Sequence, residues 1–438
     1  MSTILPTSRF DRNALPEPQG QPETARALRI RALEAFGALP VPSQETEEWR
    51  YTDLSSFDLT VFAPFAPGKA AENLDEVDER ILEAAGEIGD RSGLLIQHNS
   101  DTAIAHLDLE LAKRGVRFMS IDAALRDQPD LVTDRLHALI PPDRTKFTAL
   151  QAAFRTGGTL VHVPKGVDVE MPLQTLTYLD AAGTAVFPHT ILVVEEGASV
   201  TFIDRYVSPD LESALSVGGV EIFAGPNSQV RYVSLQDWGR GVTHLSVQRA
   251  RIDRDAQVRS LAVTFGADLS RTEVESVLAG PGGHSEMLGV YFTDGSQHFD
   301  HRSLQDHVAP HCTSDLLYKG ALRDSSRVVY SGLIHIAPGA KGSNAFQTNR
   351  NVVLSDEAKA DSIPNLEIEN NDVKCSHAAS VGPVDEDQVF YLQSRGISRD
   401  EAEWLIVRGF FQEVLDRVPL EEVRQGLDVA IEDELRGK

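Results

Sequence analysis

The sequence predicts a mainly β protein whose centre is a stack of β coils, with an N-terminal α/β region before it and a helical region after it. Three observations carry this. Between Thr156 and Glu369, short runs rich in Val, Ile, Leu, Thr and Tyr alternate with Gly, Asn and Asp turns, and helical periodicity nearly vanishes. A unit of strand, acidic or Gly turn, small residue and strand returns in ILVVEEGASVTFID, VEIFAGPNSQVRYVSL, ARIDRDAQVRSLAV, SVLAGPGGHSEMLGVYF, ALRDSSRVVYSGLIHI and VVLSDEAKADSIPNLEI. Its first four turns recur about every 28 residues, the spacing of a β-helix coil. Both flanks regain helical patterning, which suits a stack whose end coils would otherwise be bare. An irregular β-sandwich with accidental turn similarity is the alternative that periodicity leaves open.

The elements follow in order. Residues 1–150 read as a mixed domain, with amphipathic segments from Glu23 to Phe36 and from Val77 to Ala85 and the stretch EEWRYTDL, Glu47 to Leu54, between them. HNSDTAIAHLDLELAKRGVRFMSIDAALRD then alternates strand and helix, and Pro141-Pro142 punctuates its end. The β-helix core is expected over 151–382. A C-terminal helical domain is expected over 383–438. There Asp385 to Arg395 forms one turn set closed by Gly396, and Ser398 with Glu401 makes a capping box that opens a helix to about Asp416. Pro419 starts another helix, with Leu420, Val423, Leu427 and Ile431 along one stripe.

Composition narrows the partners. The 438 residues carry 66 acidic against 41 basic side chains, a net charge of -25, so phosphate backbones and anionic lipid surfaces are repelled. Nucleic acid and membranes are not expected as partners. The arginines from Arg249 to Arg259 are interleaved with Asp253 and Asp255 and read as a solvated strand face. Two cysteines, Cys312 and Cys375, are too few for a secreted disulfide framework, and the N-terminus shows no apolar run of signal-peptide or membrane-span length. A reducing cytoplasm is the expected location.

Two places could do chemistry. HFDHRSLQDHVAPHC gathers His298, His301, His307, His311 and Cys312, residue types that ligate zinc or iron. Yet His298 and His301 point to opposite faces of a strand, so core or interface histidines are the favoured reading. In VKCSH, Cys375 and His377 are two residues apart and share a strand face, an open two-ligand pair that needs donors from another subunit to hold a metal. No G-x-x-x-x-G-K-[ST], strand-to-helix G-x-G-x-x-G or G-x-S-x-G element is present, and PGAKGSN from Pro338 reads as a coil turn. The chain therefore reads as having no self-contained active site. A carbohydrate-active β-helix enzyme of extracellular type and a His-rich metalloenzyme built on His298 to His311 are the rival functions.

Three stretches resemble one family. CSHAASVGPVDEDQVFYLQSRGISRDEA, Cys375 to Ala402, is similar to the D-x-x-Q-x-F-Y-L-x-S-R-G-I signature of the SufB/SufD family of iron–sulfur cluster assembly scaffold proteins. DHRSLQDHVAPHCTSDLLYKGAL, Asp300 to Leu322, resembles its histidine-bearing stretch ending in Y-K-G, and Glu48-Trp49-Arg50-Tyr51-Thr52 resembles the E-x-W-x-Y-T element near the start of its SufD branch. Cys375-Ser376-His377 also looks like the SufD form, where SufB members tend to carry E-H-E-A. NRNVVL, with Arg350, stands where SufB members carry a cluster-assembly cysteine.

The resemblance implies a right-handed parallel β-helix and a non-enzymatic scaffold paired with a SufB-like subunit, with a homodimer possible for the isolated chain. It implies a SufC-type ABC ATPase docked on the helix containing Trp404, Leu405, Arg408 and Phe410, and sulfur delivered by a cysteine desulfurase system. Cys375 and His377 become candidate iron or cluster contributors at the subunit junction. No cofactor is expected to stay on the isolated chain; the iron–sulfur cluster is transient and belongs to the complex. Cys312 stands where family members often show Thr, and no role carries over to it.

Overall fold

The computed structural model describes residues 9–17, 20–86, 91–418, 424, 425, 429 and 432. The expected stripe of Leu420, Val423, Leu427 and Ile431 lies outside the described residues. Among the described residues no helix is long and apolar enough to cross a membrane.

The centre is a parallel β-solenoid built from two ten-stranded sheets, each coil giving one strand to each sheet. Residues in register on successive strands of the first sheet are Gln229, Gln257, His284, Thr313, Asn344 and Lys374, so one coil takes 27 to 31 residues. The turn spacing read from the sequence is thus the coil repeat. Alternation along each strand sorts side chains between the lumen and the outer faces. One lumen column runs Val200, Val230, Val258, Ser285, Ser314, Ala345, Cys375; its neighbour runs Phe202, Tyr232, Ser260, Met287, Leu316, Gln347, His377. The lumen is valine-rich in its early coils and more polar in its late ones.

Large lumen residues fit because glycines face them. Gly289 is in register with Tyr318, and Tyr291 with Gly320, so each ring lies over the bare backbone of the neighbouring coil. A Cβ on Gly289 would lie 2.7 Å from the Tyr318 ring, and one on Gly320 would overlap the Tyr291 ring. The Tyr-Lys-Gly tripeptide, Tyr318 to Gly320, is therefore one half of a reciprocal packing device. Its lysine points outward, as alternation requires.

The two ends of the column differ. At the start, strands Asp101–Leu107 and Arg117–Ser120 pair antiparallel with Gly93–His98 and Thr159–Val163, which breaks the parallel series. Leu111, Val116 and Phe118 pack against Val161, Val163, Leu173 and Phe202 and plug the lumen. Helices Glu23–Ala38 and Lys146–Phe154 cover the outer face of the second sheet over its first coils, through an aromatic cluster that includes Phe36, Trp49, Phe147 and Phe154. Trp49 belongs to the E-x-W-x-Y-T element, which is pinned to the solenoid. Arg271 stacks 3.9 Å from the Trp49 ring centre and donates to the Glu48 carbonyl at 2.9 Å, while Thr52 Oγ1 donates to buried Asp300 at 2.7 Å.

At the finish, strands Lys359–Ile368 and Lys374–Pro383 form the edges of both sheets, and among the described residues no further coil lies above them. Helix Glu386–Gln393, capped by Asp385, and helix Arg399–Leu415, capped by Ser398 as its S-x-x-E spacing predicts, leave this coil and turn back. The second helix buries Val407, Phe411, Val414 and Leu415 against Val290, Phe292, Leu317 and Ala321 on the outer face of the first sheet.

Candidate functional site

The uncovered coil is the place where the sequence-predicted pair meets solvent. Cys375 and His377 stand on strand Lys374–Pro383, in register with Ala345 and Gln347. Both positions belong to lumen columns, so the pair shares a face as expected and lies at the mouth of the column. Their surroundings differ. Cys375 is half-buried beside Ile334, Ile336, Ala340, Ala345 and Val373, and burial pushes its thiol pKa up, so the single chain holds it protonated. A neighbouring imidazolium would pull the thiol the other way, and burial is what acts on Cys375 here. His377 is exposed because no coil among the described residues lies over it. Beneath it, the buried Gln347 amide has neither its nitrogen nor its oxygen hydrogen-bonded.

The rest of the mouth is apolar and part-exposed. Leu366, Ile368 and Val381 each remain more than a third accessible and occupy lumen-facing positions, continuing the columns of Ile334, Ile336 and Asn351. Side chains that would be interior in any other coil are here a surface, on strands whose outer edges are free to pair.

The histidine-rich stretch is structural. On strand His298–His307, His301 and His307 face the lumen and His298 faces outward, as alternation predicts. His301 stacks on Tyr291 with ring centres 4.6 Å apart, His307 Nε2 meets Ser314 Oγ at 2.8 Å, and His298 Nε2 meets Thr52 Oγ1 at 3.2 Å. Burial lowers the pKa of His301 and of His307 to about 4, so both are neutral. His311 occupies a left-handed turn position at φ 59° and Cys312 is buried, its thiol donating to the Gly280 carbonyl at 3.3 Å. Among the described residues, no cluster of three metal-ligating groups includes any residue of this stretch.

The helix expected to dock a partner is half engaged already. Lys319 of the Tyr-Lys-Gly tripeptide donates to the Phe410 carbonyl at 2.7 Å, lies 4.6 Å from the Phe410 ring centre and pairs with Glu413 at 2.6 Å. Phe410 thus anchors the helix to the chain's own β body. Arg350 is 3.3 Å from the same Glu413, and Arg417 pairs with Asp315 at 2.7 Å. Trp404 and Arg408 stack on each other at 5.5 Å, half-buried, and Leu405 is half-buried beside them. Sequence reasoning passed over the adjacent helix, where Phe390 is 72% and Tyr391 55% exposed. The signal was two aromatics in succession in a short helix, only one of which can turn inward.

These features agree with what the chain is similar to. The SufBD core domain of the SUF system of FeS cluster assembly matches residues 177–410, and the SufBD protein N-terminal region matches 93–175. An iron–sulfur cluster assembly SufBD family protein of Staphylococcus saprophyticus is 29% identical over 413 residues, covering 92% of this chain and 87% of its own. Another from Staphylococcus aureus is 28% identical over 412 residues, covering 92% and 88%. The core match spans the solenoid from its first parallel coils through the docked helix, so the shared unit is the column together with its open mouth, and the chain belongs to the SufBD family of iron–sulfur cluster assembly proteins.

Proposed function

We propose that this chain is a SufD-type scaffold subunit: it performs no turnover itself and holds companions in place while an iron–sulfur cluster is built. The observation that carries this is the uncovered last coil, where Cys375 and His377 sit at a lumen mouth rimmed by Leu366, Ile368 and Val381. A SufB-like subunit presenting its own open coil would cover the apolar rim, complete the edge pairing and bring further thiolate or imidazole donors to the pair. Two ligands are too few to keep a metal, which suits a cluster that is cargo and leaves. The isolated chain would pair with itself through the same surface.

The exposed aromatics Phe390 and Tyr391, with Trp404, Leu405 and Arg408 on the next helix, form the face offered to a SufC-type ATPase. Nucleotide-driven movement of that partner would reach the mouth through the short connection between the last strand and these helices. Sulfur would arrive from a cysteine desulfurase in a reducing cytoplasm, where both cysteines stay free thiols.

The test is co-expression with the SufB and SufC proteins of the same cell. Cys375→Ala and His377→Ala should leave the three-protein complex assembled and lower its cluster yield; normal yield from both variants would refute their role. Val381→Arg should abolish pairing with the SufB-like subunit while the chain stays folded, and retained pairing would refute the open-end junction.

A further inference from the structure

Between the outer face of the second sheet and the segment 133–143 lies a side-chain cluster far from the open mouth. We propose that His137, His189 and Glu221 form a binding site for one divalent transition-metal ion of the zinc or ferrous-iron class. His189 opens strand His189–Val194, Glu221 lies within strand Ala214–Ala224, and His137 packs over both; all three are buried. Their ligand atoms lie within 4.8 Å of one another, and among the described residues no other set of three His, Cys, Asp or Glu side chains is this compact.

Each group is aimed. A Cβ on Gly219 would lie 2.6 Å from His189 Nδ1, so the glycine makes room for the ring. The Gln151 amide meets that Nδ1 at 3.0 Å, which directs Nε2 toward Glu221 Oε2 at 2.9 Å. The carboxylate is fixed by the backbone N–H groups of His137 at 2.7 Å, Leu139 at 2.6 Å and Ile140 at 3.2 Å. His137 takes a left-handed φ of 60° and brings its ring centre within 4.6 Å of that of His189.

Hydrogen bonding accounts for His189 and Glu221 but leaves both buried ring nitrogens of His137 without a well-formed hydrogen bond, the Ile140 carbonyl offering only a weak contact. Leaving a buried polar group unsatisfied is costly, and a metal ion removes that cost for one nitrogen. Nitrogen and oxygen ligands at about 2.0–2.2 Å in a tetrahedral site stand about 3.3–3.6 Å from each other, so the His189 to Glu221 pair, now hydrogen-bonded at 2.9 Å, needs to part by only about half an ångström to admit the ion. Two imidazoles and one carboxylate suit zinc or ferrous iron and leave positions for water. Binding at His189 Nε2 moves that ring's proton to Nδ1, and the Gln151 amide turns to present its oxygen, giving up the 3.3 Å bond that its nitrogen donates to the Pro188 carbonyl. The Arg155 guanidinium, which bears on both imidazoles, is itself paired with Asp122 at 3.0 Å. Access is from a groove of 840 Å³ that has His137 in its wall and Glu34, Asp134 and Asp143 against Arg31 at its sides, an acidic bias that concentrates cations.

The test uses the untagged full-length chain, stripped with chelator and equilibrated with Zn²⁺, with Fe²⁺ under anaerobic conditions, or with Co²⁺ as a spectroscopic probe. One equivalent should survive gel filtration and raise Tm, and His137→Asn should weaken binding by about 100-fold or more. That variant gives up the ring packing on His189 and the weak Ile140 contact, so its metal-free melt is measured beside the parent's and the metal-dependent rise in Tm is the readout that should be lost. A Cys375→Ala/His377→Ala double variant should keep full binding, which separates this site from the open mouth. The Co²⁺ spectrum and X-ray absorption of the parent chain should show nitrogen and oxygen ligands only. Equal retention by the parent and His137→Asn, or sulfur ligation in the parent, overturns the proposal.

Discussion

Lys319→Met isolates the polar link between the β body and the C-terminal helix. Lys319 is only 4% exposed in its side chain, and methionine keeps most of its volume while removing the charge. Three interactions disappear together. A hydrogen bond from a charged donor to the Phe410 carbonyl contributes about 1.5–3 kcal/mol. The pair with Glu413, which is 44% exposed, contributes about 0.5 kcal/mol after solvent screening. The contact over the Phe410 ring adds about 0.5–1 kcal/mol. Desolvation of the ammonium offsets part of this, so the expected net loss is about 2–3 kcal/mol. Val407, Phe411, Val414 and Leu415 keep the helix docked most of the time, but it should open about 30- to 150-fold more often. Native-state hydrogen exchange reads this directly: protection should fall by that factor over Arg399–Leu415 and stay unchanged in strands Gln229–Asp237 and Gln257–Thr264. Unchanged protection of the helix would refute the assignment of Lys319 as its anchor, as would an equal loss throughout the column.

Gly320→Ala forces a methyl into the Tyr291 ring and should cost about 1–3 kcal/mol in thermal or urea unfolding, and adding Tyr291→Ala should relieve the clash without restoring full stability. Asp300→Asn removes one carboxylate from Arg271, which is 3% exposed and keeps Glu273 at 2.8 Å; urea unfolding should show a loss of about 1.5–3 kcal/mol, against about 1 kcal/mol for Thr52→Val. Acid should destabilise the column: burial lowers His244 to about 3 and His301 and His307 to about 4, so stability present above about pH 6.5 is lost as pH falls and the unfolded chain takes up protons. At pH 5 each histidine costs about 2 kcal/mol, while Asp204, raised to about 6 by burial, returns about 1.4 kcal/mol, and urea midpoints from pH 7.5 to 5 should fall accordingly. A flat or rising midpoint would show that these imidazoles are solvated.

Much of the architecture was legible because a solenoid repeats its local chemistry. The turns at EEGA, GPNS, DRDA and GPGG share one role in one coil, and their spacing survives as the register of Gln229, Gln257 and His284. Ser398 capped its helix because the cap needs only residues three apart in sequence. Alternation placed Cys375 and His377 on one face, and separated His298 from His301. It could not say that the coil carrying Cys375 is the last among the described residues, which decides why His377 is exposed. Phe410 illustrates a second gap: an aromatic on a helix reads as available until Lys319, which lies 91 residues earlier, claims it. His137, His189 and Glu221 left no signal at all, since only the course of the chain over the second sheet brings them together.

The plug of Leu111, Val116 and Phe118 at one end and the bare coil at the other give the column a direction. Joining through the bare coil, as proposed above, would use up that adhesive terminus in each participant and leave the plugged termini facing outward. Assembly along this axis would therefore halt at two bodies rather than grow into a filament.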